Sequence, residues 1–90
     1  MEIKFTDFND YDNWVSGVAG NYRFKAKLFD EGSEFGINNG RVSKLSIVNE
    51  YKECVLNYDR GWDIKPKGEI IEVFEEVLEF LENAPIRFFN

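Results

Sequence analysis

Ninety residues, 43% of them hydrophobic and 17% aromatic, suffice for one domain with one apolar core, and exclude both a second core and a disordered body. The formal charge is −6, with no histidine and a single cysteine, Cys54, so an intrachain disulfide, a CxxC site and all histidine-based chemistry are excluded. The acidity is local: Glu69, Glu72, Glu75, Glu76, Glu79 and Glu82 share one segment without Lys or Arg, and the rest of the chain balances 11 acids against 11 bases.

The opening MEIKFTDFND lacks a basic start followed by an apolar run, so no signal peptide is expected. No apolar run approaches the ~20 residues of a membrane helix. A soluble, cytoplasmic protein without membrane contact is the expectation. Residues 2–5 are a candidate extra edge strand. Asp7, Asp10 and Asp12 lack the central glycine and closing glutamate of a calcium loop, and read as capping or solvating the chain before Trp14.

The hydrophobic period then becomes two. Tyr22, Phe24, Ala26 and Leu28 alternate with Arg23, Lys25 and Lys27, which predicts a half-buried strand with a basic outer edge. Trp14–Ala19 is its hairpin partner across Gly20-Asn21. A third strand, Val42–Val48, turns Leu45 and Ile47 to one face and Lys44 and Ser46 to the other. A fourth, residues 53–58, places Cys54, Leu56 and Tyr58 inward, and so predicts a buried, inert thiol.

Two irregular stretches lie between and after these strands. Residues 30–44, DEGSEFGINNGRVSK, carry Gly32, Gly36 and Gly40 at a spacing that fails the phosphate-loop pattern, which needs four intervening residues and a following helix. Asn39-Gly40 is a hairpin signal, so residues 35–37 are expected to pair with 41–43 as a short extension. The second stretch, NYDRGWD, repeats the mixture of glycine, arginine and aromatics. Phe35, Asn38, Arg41, Arg60, Trp62 and Asp63 are therefore candidate partner contacts, because binding residues concentrate on connections. Trp62 fits equally well as a plug at the end of the core, with Arg60 and Asp63 as a turn-stabilising pair.

Residues 68–83 are the clearest element. At 100° per residue Ile70, Ile71, Val73, Phe74, Val77, Leu78, Phe80 and Leu81 fill one half of a wheel and the six glutamates the other, which predicts an amphipathic helix between Pro66 and Pro85. Its like-charged neighbours each cost ~0.2–0.5 kcal/mol. Glu79 and Glu82 also sit at the negative end of the helix dipole. Solubility explains this face; so does docking to a basic partner through Glu72, Glu75, Glu76 and Glu79. The terminal IRFFN is expected to pack at the sheet edge or to form an exposed patch. The order, strands then one helix, predicts an α+β fold: a four-stranded antiparallel meander with the helix on one face.

No acid, base and nucleophile assemble. Asp30, Glu34, Asp59 and Asp63 supply carboxylates without any indication of their separation, so no catalytic, metal-binding or cofactor-binding residues are assigned and no enzyme is expected. The acidic balance disfavours direct nucleic-acid binding as the main function. The strip Arg23, Lys25, Lys27 and Lys44 reads as a solvated strand face or as a surface for an acidic partner.

GSEFGINNGRVSKL and NYDRGWDIKP, followed by the acidic helix, resemble a group of short uncharacterised proteins of Gram-positive bacteria and their phages, a domain of unknown function. The resemblance spans roughly residues 14–83 and supplies no catalytic residues. It implies a context in which small acidic phage proteins inhibit host defence complexes, CRISPR nucleases among them, by occupying a surface. The expectation is a non-enzymatic protein-binding domain that meets a partner with a basic surface. A ligand-sequestering module between the glycine loop and Trp62, and a structural protein forming a homo-oligomer, are the alternatives.

Overall fold

In the computed structural model, which describes residues 1–9 and 12–85, the elements in chain order are β1 (Ile3–Asn9), β2 (Trp14–Ala19), β3 (Tyr22–Leu28), β4 (Val42–Val48), β5 (Cys54–Asp59), β6 (Trp62–Ile64) and α1 (Glu69–Glu82). Each strand pairs antiparallel with the next, so the sheet order is the sequence order. The class is the expected α+β. The sheet, however, has six strands among the described residues where four were expected. The candidate edge strand runs on to Asn9, and NYDRGWD, which reads as a loop, folds back on itself through Arg60 in the left-handed region (φ 57). Beyond that turn Trp62 and Ile64, both strand formers, pair with Tyr58 and Asn57.

Both edges are irregular. The register slips between Phe5 and Asp7 on the β1 side and between Asn57 and Tyr58 on the β6 side. Such bulges twist an edge strand and make it a poor template for a further strand. Inside the sheet one row crosses five strands in register: Phe5, Gly17, Phe24, Ile47 and Leu56. Gly17 leaves room for the Phe24 ring, which a Cβ at that position would meet.

The helix packs on this inner face. Val73, Val77 and Leu81 are buried with Leu45, Ile47 and Leu56, while Ile70, Phe74, Leu78 and Phe80 pack partly buried around them. On one flank the Phe80 ring lies 4.8 Å from Phe5 and 6.4 Å from Phe24; on the other, Phe74 lies 5.4 Å from Trp62. Ile71, assigned to the apolar half by its angle, sits at the boundary and is 47% exposed.

Two local expectations are corrected. Cys54 is exposed, because the register between β4 and β5 shifts by one residue next to Val48; Val55, next along the chain, packs partly buried against the core. Residues 35–37 do not extend the β4 pairing. Ile37–Asn39 instead forms a 3₁₀ turn, with Asn38 and Asn39 at positive φ, a conformation that asparagine tolerates better than most residues. The sequence expectations for Asp10 and the IRFFN tail concern residues outside those described. No helix among the described residues is long and apolar enough to cross a membrane.

Candidate functional site

The six helix glutamates divide by what they touch. Glu82 turns inward, accepting the Arg41 amide at 2.8 Å and 3.1 Å and the Val42 amide at 3.3 Å. Glu76 meets the N-terminal ammonium of Met1 at 3.2 Å. Glu69 acts on Tyr22, whose hydroxyl pKa is raised by burial first and then by the Glu69 charge. Glu72, Glu75 and Glu79 remain exposed, and among the described residues no cation pairs with them. These lie at adjacent turns of one ridge, on the face opposite the sheet.

Arg41 engages the helix end. Its guanidinium donates from Nε to the Phe29 carbonyl at 2.8 Å and from Nη1 to the Glu82 and Ala84 carbonyls at 3.0 Å and 2.8 Å. Nη2 reaches the Pro85 carbonyl at 3.4 Å. A cation therefore satisfies carbonyls at the end of α1, while the Glu82 carboxylate satisfies the amides of Arg41 and Val42 at the entry to β4. Gly40 belongs to the same junction, since a Cβ there would meet the Glu82 carboxylate. Sequence reasoning placed Glu82 on the solvated face and Arg41 among the partner contacts. The available signal was the pairing of an acid at a helix C-terminus, where it is unfavourable, with an arginine directly before a strand.

Phe35, Arg60 and Trp62 come together at the β6 end of the molecule. The Arg60 guanidinium lies over the Phe35 ring at 6.0 Å, the Phe35 carbonyl accepts the Tyr58 hydroxyl at 2.9 Å, and Tyr58 stacks edge-on against Trp62 at 5.0 Å. Trp62 thus closes the core between sheet and helix, with 37% of its surface still exposed. Phe35 is half exposed and Asn38 exposed, both on the glycine loop. Asp63 accepts a hydrogen bond from Asn57 at 3.2 Å, so the interactions of Arg60 and Asp63 are with Phe35 and Asn57 instead of with each other.

Two concave surfaces flank the helix. A groove of about 450 Å³ runs between β1 and the second half of α1, lined by Ile3, Phe5, Phe80, Ala84 and Pro85. A cleft of about 600 Å³ opens at the helix start, beside Tyr22, Asn49, Tyr51 and Lys67.

A family described as Domain of unknown function (DUF7678) matches residues 13–82, from the start of β2 to the end of α1. The chain belongs to the DUF7678 family. The matched span contains both the Arg41–Glu82 junction and the acidic ridge. No match was found among curated proteins or among solved structures.

Proposed function

We propose that this DUF7678 domain is a non-enzymatic protein-binding module that presents Glu72, Glu75 and Glu79, flanked by Glu76, to a basic surface on another protein. One observation carries the reading. The glutamates at the edges of the helix face engage the fold, whereas the side chains of the central three have no hydrogen-bond or ion-pair partner among the described residues, although their mutual repulsion costs the helix ~0.2–0.5 kcal/mol per adjacent pair. The 14-residue helix offers this ridge over roughly 21 Å. The exposed Ile71 beside it, and the Trp62–Phe35–Arg60 cluster beyond, supply apolar and aromatic anchors that charge alone lacks.

The specific form of the proposal is a phage-borne inhibitor of a host defence or nucleic-acid-handling complex. Grooves that neutralise phosphates are basic, so an acidic helix competes for the same cations. Capture from host lysate by the wild type, and by a variant with Glu72, Glu75 and Glu79 changed to glutamine, tests this. Proteins retained by the wild type should be lost by the variant, and the purified candidate should lose nucleic-acid binding when the wild type is added. Equal capture by both proteins would refute the acidic-face reading, and a candidate whose nucleic-acid binding is unchanged would refute inhibition.

A further inference from the structure

The outer face of the sheet has a chemistry of its own. Its centre is β3, where Arg23 and Lys25 are exposed and project on the same side, two residues apart. Lys25 stands in register between Ser16 of β2 and Ser46 of β4, while the neighbours of Arg23 are Val18 and Val48. A shallow hollow of about 250 Å³ is lined by Thr6, Ser16, Arg23, Lys25 and Ser46. It gathers two cations and three hydroxyls on paired, rigid backbone.

Neither cation has an ion-pair partner among the described residues, whereas Lys44, further along the face, meets Asp59 at 3.4 Å. Lys25 Nζ lies 5.0 Å from the Trp14 ring, which brings an aromatic surface to the same side of the sheet. Lys27 continues the strip, its Nζ 5.7 Å from the Phe29 ring. From Arg23 to Lys27 the cations extend over roughly 13 Å at ~3.3 Å per residue. Asp7 and Asp12 border the adjoining hollow with Trp14 and Lys25, so the electropositive path follows β3 instead of crossing to β1.

We infer that this face binds the phosphodiester backbone of single-stranded nucleic acid, a second function on the side opposite the acidic helix and beyond the reading above. A phosphate offers several oxygens to ammonium, guanidinium and hydroxyl donors at once, and Trp14 gives a neighbouring base a ring to stack on. A carboxylate side chain uses fewer of these donors and leaves the ring unemployed. Negative charge concentrated on the opposite face orients the domain so that β3 leads the encounter. With two or three cations engaged the binding is weak and sequence-tolerant, in the ~10⁻⁴–10⁻⁶ M range of non-specific complexes.

The test is fluorescence anisotropy of a labelled fifteen-nucleotide thymidine strand titrated with the intact domain at low salt. Saturable binding is expected, with log K falling against log salt at a slope between about −1.4 and −2.1, as two or three neutralised phosphates on a single strand require. Arg23→Glu with Lys25→Glu should weaken it at least ~10-fold, both side chains being exposed and the melting temperature serving as the check on folding. Glu72→Gln, Glu75→Gln and Glu79→Gln together should leave it intact or tighten it. Absence of saturable binding, or an unchanged affinity in the folded charge-reversal variant, would overturn the inference. So would equal competition by poly-glutamate of matching charge, which would make this a surface for acidic proteins.

Discussion

Glu82 and Glu75 are the same residue type on the same helix, and the fold asks opposite things of them. Glu82 spans helix and sheet by accepting the amides of Arg41, just before β4, and Val42, its first residue, and Arg41 answers by capping the helix carbonyls. Removing a charged acceptor leaves half-buried amides without a partner, so Glu82→Ala should cost ~2–3 kcal/mol and Arg41→Ala a similar amount, measured by urea denaturation. Glu75 is exposed, with Glu72 and Glu79 three and four residues away on the helix, so Glu75→Gln should leave stability unchanged or raise it by up to ~0.5 kcal/mol. Tyr22 carries a pH dependence. Its hydroxyl pKa is raised in the folded state, so the native protein holds that proton more tightly than the unfolded chain, and stability falls as pH rises through and above ~10. Tyr22→Phe should flatten the alkaline part of a melting-temperature profile, and an unchanged profile would show that Glu69 and burial do not act on Tyr22.

The helix and the strands show which elements patterning reveals and which it hides. Residues 68–83 read as a helix, and Glu69–Glu82 forms one, because sixteen residues of consistent angular segregation leave no competing period. Trp14–Ala19, Tyr22–Leu28 and Val42–Val48 were legible for the same reason, with alternation uninterrupted over six or seven residues in the first two and from Ser43 onward in the third. β6 was not: three residues are too few to show a period, and the glycine and charges before them resemble a loop. Cys54 was misplaced because alternation counts residues, and the extra residue Val55 separates it from Leu56 and Tyr58, whose inward assignment matches their burial. Of the candidate contacts, Phe35, Arg60 and Trp62 do cluster, but Arg41 was read as an anchor because chemical type alone does not tell an arginine that binds outward from one that caps a helix. Burial ranks the packing contributions. Leu81 is fully buried, so Leu81→Ala should cost ~3–5 kcal/mol, whereas Phe74, at the rim beside Trp62, should cost less when cut to alanine. Equal denaturation midpoints for Leu81→Ala and wild type would contradict the docking of α1 on the sheet.

Taken as one body, the domain is electrically two-sided. Among the described residues, carboxylates without an ion pair line the helix face, and Arg23 and Lys25, likewise without one, stand on the far side of the sheet. Irregular edges discourage strand addition at β1 and β6, which leaves the two broad faces and the β6 end as surfaces for recognition. A partner drawn to Glu72, Glu75 and Glu79 is selected mainly during encounter, because exposed charges steer association more than they hold a complex together. The most direct measurement is therefore the association rate of the captured partner with wild type and with the triple glutamine variant, across a salt series. The account predicts an association rate that falls at least ~10-fold in the variant and falls with salt for the wild type, while dissociation changes little. A complex whose association is insensitive both to salt and to the three substitutions would contradict it.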